Sequence, residues 1–440
     1  MPASTVSHSG KPLRITQKFN IALLVSSVWF LACLWVSWPW IIDLSQYVGN
    51  FLAIFIVSFI ALIPGFMQMF VFVSNLIDRR PKSADITQFP PISVLIAAYN
   101  EEENILGTIR SVLAQNYHAK IEIIVSDDGS TDNTVNFLES INAKNLVVVQ
   151  NSHAGKASAL NAALKLIKNN IVVVVDADTF LAKDALTEIV KCYLTRPENL
   201  AAVAGSVFVK NFGDGVMAGM QRWDFFQSIS AVKRMQSLFQ GTLVAQGAFS
   251  LYRKDLLDEV GGWADCVGED IVLTWALLKK KYRIGYCEKA LCFTNVPCTY
   301  KKFFYQRSRW SRGMLEAFRK NPTVLITPRL SLFFIYWNIL FPLLDFTYLF
   351  VFVPGIILAL FGYYFIAGPM TFSLLILGVF YNVSFYRTQK KIFDNVGIPF
   401  HFNLSSFVMY ILFYQFIMIP ACIHGYLSEL FNTKKKWTSG

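Results

Sequence analysis

Between Asn20 and Ile77 the chain carries one charged residue, Asp43. A helix rises 1.5 Å per residue, so about 20 apolar residues cross the hydrocarbon core of a bilayer. Residues 20–42 and 44–77 each meet that length. A second uncharged region comes late: from 330 to 386 the only charge is Asp345, and 395–428 has none. A cleaved signal peptide fits poorly, because the first run is too long and no small-residue cleavage site follows Trp38-Pro39-Trp40. Lys11, Arg14 and Lys18 precede the first run, and Arg79, Arg80 and Lys82 follow the second. Basic flanks mark the cytoplasmic side, so the N-terminus and everything after Arg79 are expected in the cytoplasm of an integral plasma (inner) membrane protein. The late region holds three or four further spans, the first blurred by Pro342, Asp345 and Pro354. The basic loop 387–391 and Lys434-Lys435-Lys436 both call for the cytoplasm, so one segment there is expected to lie in the interface.

Composition agrees: 54% of the 440 residues are apolar and 16% charged, against roughly 25% charged in a soluble domain. Disorder is excluded, and seven dispersed cysteines do not make a secreted disulfide framework. Cys287, Cys292 and Cys298 lack the pairs of a structural zinc site and read as buried free thiols. The net charge of +11 is what cytoplasmic membrane flanks produce, so nucleic acid is not an expected partner and membrane lipid is.

The chain divides accordingly. Residues 1–89 form the N-terminus and two spans, 90–299 an α/β domain, 300–329 an interface helix, and 330–440 the remaining membrane or interface helices and a basic tail. Within the domain, 92–98, 121–126, 147–150 and 171–175 are short β-branched runs. Helix-like segments begin near Glu101, Asp132, Gly155 and Lys183. Strands apolar on both faces and alternating with helices predict a mostly parallel sheet covered on both sides. In such sheets ligands bind at the carboxyl ends of strands.

Those ends carry the chemistry. Tyr99 follows the first run and can stack on a flat base, while Glu101-Glu102-Glu103 have a sufficient explanation in the dipole of the helix they open. Asp127-Asp128 end the second run; Ser130 or Asp132 can cap the following helix, which leaves both aspartates free for a hydrogen-bond donor such as a base or a ribose. Asp176 and Asp178 follow four valines. In extended chain, residues two apart point the same way, so both carboxylates can reach one ion. Hard oxygen ligands favour Mg²⁺ or Mn²⁺, completed by phosphate and water, and the position directly after an all-valine strand favours this reading over a loop turn with two solvated aspartates. Lys156 opens a helix and suits an anion, but Gln150 and Ala157 exclude a P-loop. Glu269-Asp270 precede an apolar helix, either as an ordinary acidic first turn or as a general base with a neighbouring carboxylate. Gln306, Arg309 and Trp310 share a face of an aromatic and basic helix of the kind that lies at a membrane surface.

In that order, Tyr99, Asp127-Asp128, Asp176-x-Asp178, Glu269-Asp270 and Gln306-x-x-Arg309-Trp310 resemble the motifs of the processive family-2 glycosyltransferases. That family includes synthases of cellulose, chitin, hyaluronan and poly-N-acetylglucosamine. Two spans before the domain and at least three after it look most like the poly-β-1,6-N-acetylglucosamine synthases. The resemblance implies a GT-A-type α/β domain inserted between transmembrane helices. It puts Tyr99, Asp127 and Asp128 on the uracil, Lys156 near the nucleotide, and Asp176 on the UDP. Asp178, with Asp176, holds the metal. Asp270 becomes the base, with Glu269, Gln306 and Trp310 on the acceptor sugar and Arg309 toward the diphosphate. Gly268 departs from the threonine that many members carry there.

The expected reaction is an in-line displacement with inversion, in which Asp270 deprotonates an acceptor hydroxyl that attacks the anomeric carbon of a UDP-sugar. The growing polysaccharide is the second substrate, and the membrane helices are expected to offer it a channel. The sugar rests on the resemblance alone, so glucose or alternating hyaluronan-type addition stays open, as does a small membrane accessory subunit. Two other readings remain: transfer of one sugar to a lipid phosphate, and a non-catalytic membrane transport subunit whose domain merely binds nucleotide.

Overall fold

The computed structural model describes residues 13–78, 86–196, 199–398 and 402–433. Of the flanking charges used above, Lys11, Arg79, Arg80, Lys82 and Lys434 to Lys436 lie outside the described residues.

Eight strands form one sheet: β1 (Ile92–Ala98), β2 (Ile121–Asp127), β3 (Leu146–Gln150), β4 (Ile171–Val175), β5 (Thr179–Leu181), β6 (Leu200–Val209), β7 (Phe249–Arg253) and β8 (Arg283–Thr294). Their order is β3-β2-β1-β4-β7-β6-β8-β5. The half β3-β2-β1-β4 is parallel, with Ala98 opposite Asp127 and Leu95 opposite Val174. β7 enters antiparallel between β4 and β6, β6 and β8 run parallel, and β5 closes the edge antiparallel to β8. The sheet is therefore mixed, with its parallel pairings concentrated where the β-branched runs predicted them.

β1, β4 and β6 are buried along their whole length. Alternate side chains fill two separate cores. Val94, Ile96, Val173 and Val175 face one, while Leu95, Ala97, Val172 and Val174 face the other. The second core continues into the apolar helices through Ala22, Phe70 and Phe334. Phe239 lies against the rings of Phe70 and Phe334, at 5.7 and 6.2 Å between centroids. Arg234 adds a polar tie, pairing with Asp78 at 2.8 Å and Glu288 at 2.6 Å.

Among the described residues four helices are long and apolar enough to cross a membrane: Ile15–Val36, Asn50–Leu76, Leu332–Leu360 and Leu404–Leu430. The first ends earlier than its uncharged run. Trp38–Val48 is a separate short helix with Pro39 in its first turn, closed by Gly49 at φ 81°. The late region has three helical segments. Pro369–Val396 is long, but Arg387, Lys390, Lys391 and Asp394 charge its second half. All seven cysteines are free; Cys287 and Cys292 are buried as expected, whereas Cys298 is exposed.

Candidate active site

The loops after β1, β2, β3 and β4 converge at the carboxyl end of the parallel half. The β2 loop differs from the sequence expectation in one respect: Asp127 and Asp128 are not free acceptors. Asp127 accepts N–H bonds from Gly129 and Ser130 at 3.1 and 3.0 Å, together with the Ser130 hydroxyl. Asp128 accepts from the backbone N–H groups of Ala154 and Gly155, both at 2.9 Å. These bonds hold the β3 loop against the β2 loop and leave both carboxylates buried. Asp132 accepts from Thr134 N at 3.0 Å, from one residue before the N-cap of the helix Thr134–Glu139; the cap itself is Asn133, which makes no side-chain capping bond. Tyr99, half-buried at the end of β1, stacks on His153 with centroids 4.3 Å apart and planes 25° from parallel.

Gly155 (φ 96°) starts the helix Lys156–Leu164 and turns Lys156 inward. Its Nζ lies 2.6 Å from Asp176 Oδ1 and 3.1 Å from Glu269 Oε1. One ammonium thus ties the end of β4 to the start of the helix Glu269–Lys279. Desolvation alone would loosen the Lys156 proton, but the Asp176 and Glu269 carboxylates outweigh it and hold the lysine charged well above its ordinary range. Burial raises the Glu269 carboxyl, with Lys156 opposing. The anionic partners of Lys156 in this structure are the protein's own carboxylates.

Asp178 is partly buried and pushed up to about 6, first by desolvation and then by the charge of Asp176. Lys156 and the hydroxyls of Thr294 and Thr179 act in the other direction. With Lys156 on Asp176, Asp176 and Asp178 still offer hard oxygen donors, and a divalent cation held there would take most of its shell from phosphate oxygens and water. Among the described residues no group of three or more His, Cys, Asp and Glu side chains is placed to hold a metal ion by itself.

Glu101 belongs to this cluster, although its position next to Glu102 and Glu103 suggests only a helix-dipole role. The helix begins only at Ile105, with Asn104 as its cap. Burial pushes the Glu101 carboxyl up to about 7, the hydrogen bond from Asn104 opposes, and Asp178, Asp176 and Asp132 add to the rise. The pattern Ala-Tyr-Asn-Glu at a strand end was the available signal, and the adjacent glutamates obscured it.

Asp270 receives the Gly247 N–H at 3.3 Å. A Cβ on Gly247 would stand 2.7 Å from Lys156 Nζ and 3.5 Å from Asp176 Oδ1, so a side chain there would displace the Lys156 ammonium. Lys233, buried and absent from the sequence reading, donates to Gln246 Oε1, and Gln246 Nε2 donates to Gly205 O at 2.6 Å. Burial lowers the Lys233 ammonium to about 7, with Asp270 and Cys292 pulling upward.

The helix Tyr300–Lys320 carries the last motif. Trp310 is 46% exposed. Arg309 is half-buried and forms no hydrogen bond or ion pair among the described residues. Gln306 Oε1 is shielded from solvent without a hydrogen-bond partner. One turn beyond Trp310, Gly313 meets Gly268, and Glu316 accepts the Gly268 N–H at 2.9 Å. Only Glu269 separates Gly268 from Asp270, so this contact brings the aromatic-basic helix beside Asp270.

A family model described as glycosyltransferase like family 2 matches residues 90–313. The poly-β-1,6-N-acetyl-D-glucosamine synthase of Staphylococcus aureus (strain COL) is 31% identical over 274 residues, 59% of this chain and 66% of that protein. Its namesake from Staphylococcus epidermidis is 32% identical over 291 residues, 63% and 70% of the two chains. The chain therefore spans about two thirds of the length of these relatives. A mannosyltransferase from Pyrobaculum calidifontis, solved in complex with GDP-Man and Mn²⁺, has the same fold. The TM-score is 0.60 at 20% identity, covering 86% of this chain and 99% of that one. With a matching family model over half its length and relatives above 30% identity, the chain belongs to glycosyltransferase family 2.

Proposed function

We propose that this chain is a membrane-embedded, inverting glycosyltransferase that polymerises UDP-N-acetylglucosamine into a β-linked polysaccharide. The observation that carries the proposal is the Lys156 bridge. It holds Asp176, on the donor side, beside Glu269 and hence beside Asp270, on the acceptor side. The choice of sugar is supported by the names of the staphylococcal relatives.

Tyr99, with the Asp127 and Asp128 loops behind it, receives the uracil face. Asp176 and Asp178 would hold Mg²⁺ or Mn²⁺. When bound, the ion supplies positive charge to the β-phosphate as UDP departs. Arg309, which has no protein partner among the described residues, adds a second charge there. Trp310 and Gln306 seat the acceptor: the indole offers a flat apolar face, and the buried Gln306 Oε1 awaits a hydroxyl donor. Asp270 takes the acceptor proton, and the new oxygen nucleophile attacks the anomeric carbon opposite the departing UDP. The Gly247 N–H fixes one Asp270 oxygen.

The domain is read as cytoplasmic because Arg14 and Lys18 lie on the near side of the first span. Its product cannot pass a hydrocarbon core unaided, so the helices packed beside Tyr300–Lys320 are proposed to guide it across. Incubating membranes that contain the protein with each labelled UDP-sugar, and sizing the product, tests the proposal. Long polymer from UDP-N-acetylglucosamine supports it. A single sugar on lipid would replace it with lipid-phosphate transfer, and no transfer from any UDP-sugar would reject it.

A further inference from the structure

Trp310 does not lie on an apolar bed. Arg307, one turn before it on the same face, is 3% exposed, and its guanidinium carbon lies 4.0 Å from the centre of the indole ring. The same guanidinium faces the Phe303 ring at 5.1 Å and the Phe225 ring at 5.8 Å. A buried arginine needs a counter-charge, and Asp224 supplies it, with Oδ2 3.1 Å from Arg307 Nη2. Asp224 ends the helix Val216–Asp224, directly before the π-helical turn Phe225–Ala231. That turn also brings Phe225 to 6.3 Å from Trp310 between ring centres. One face of Trp310 is thus covered by a charge held from a different helix, while nearly half the residue stays open.

We propose that Arg307, anchored by Asp224, is a positioning residue that locks the Trp310 indole as the platform for the acceptor sugar. The physics is direct. An exposed tryptophan can turn about two torsions, and any productive stack on a sugar ring must be restricted to one orientation. A cation against one ring face is attracted by the ring quadrupole, more strongly when desolvated, and this favours the orientation seen here. A planar guanidinium also stacks, which a lysine ammonium does not. The anchor comes from Asp224 in a segment that continues through the π-helical turn to Lys233, so the platform and the loop beside Asp270 share one support. This inference rests on the acceptor role proposed above for Trp310.

The test uses the full-length protein in membranes or detergent, with the variants Arg307→Met, Arg307→Lys, Asp224→Asn and Trp310→Ala. For Arg307→Met, the KM for an added acceptor oligosaccharide should rise about tenfold and the product should shorten, while UDP affinity stays unchanged. Arg307→Lys should fall between wild type and Met. Arg307→Met combined with Trp310→Ala should be no worse than Trp310→Ala alone. Oxidation of tryptophans by N-bromosuccinimide, mapped by peptide mass spectrometry, reads the stacking without requiring activity: Trp310 should oxidise faster in Arg307→Met while the other tryptophans keep their rates. Wild-type acceptor KM and wild-type Trp310 oxidation in Arg307→Met would overturn the inference, as would loss of UDP binding in step with polymer. If the wild type transfers no sugar at all, the proposed function fails, and the oxidation map still decides whether Arg307 holds Trp310.

Discussion

Gly268 and Gly313 touch backbone to backbone: a Cβ on Gly268 would stand 2.5 Å from Gly313 Cα, and one on Gly313 would stand 2.7 Å from Gly268 Cα. The residue that departs from the usual threonine is therefore matched by a glycine on the facing helix. Gly268→Thr should force the helix Tyr300–Lys320 away from Glu269-Asp270. Overpacking of this kind typically costs about 1–3 kcal/mol. The expected result is a lowered Tm in detergent, with polymer synthesis reduced more than UDP binding. An unchanged Tm would mean that the two helices are free to separate.

The Lys156 bridge predicts a different pattern. Lys156→Met leaves Asp176 and Glu269 without their shared cation. Removing one partner of a buried ion pair costs about 3–5 kcal/mol, and the loss here should be smaller because Asp176 is 30% exposed. Thermal melts should show this loss, and sugar transfer should disappear with it. Lys156→Arg should restore Tm better than activity, because a forked guanidinium cannot occupy the position of the ammonium without moving Asp176.

Lys233 gives a pH signature. Its ordinary value is 10.5, and burial brings it to about 7 in the folded protein. Between those values the unfolded chain binds more protons than the folded one, so this group makes stability rise with pH across that window. Below about 7 both states are protonated and the burial penalty is complete. Measured against wild type, Lys233→Met should therefore show its most favourable Tm difference at pH 7, and the difference should decline toward pH 10. A difference that stays flat from pH 7 to 10 would mean that Lys233 is not buried as a titrating group.

Much of the fold was legible because β1 to β4 are short runs of branched apolar residues, each ending at a polar motif. β6, Leu-Ala-Ala-Val-Ala-Gly-Ser-Val-Phe-Val, escaped notice because alanine and glycine give no strand signal, although its neighbours bury it completely. The paired carboxylates proposed for the metal and the base stand out in the sequence because their spacing is local. The partners of Asp128 do not, since its bonds come from Ala154 and Gly155, more than 20 residues away. Lys156 pairs across an even longer separation, to Glu269. Its neighbours in sequence carry no trace of that pairing.

Arg312 and Arg319 both reach Glu429, each at 3.0 Å, and tie the helix Tyr300–Lys320 to the end of Leu404–Leu430. Arg312 and Glu429 are nearly buried, while Arg319 is exposed. Glu429→Gln should destabilise mainly by stranding the Arg312 charge, at about 3–5 kcal/mol. Arg319→Gln should change Tm little, as exposed pairs do. Comparing the two melts checks the assignment; equal losses would place the energy elsewhere.

The account depends on Asp270 acting as the base. The decisive comparison is Asp270→Asn against wild type in purified membranes, with polymer yield and UDP binding measured on the same samples. Removing a general base typically costs 10²–10⁴-fold in rate. The account predicts that the variant binds UDP as wild type does and makes no detectable polymer. Normal polymer from Asp270→Asn, with UDP binding intact, would contradict it.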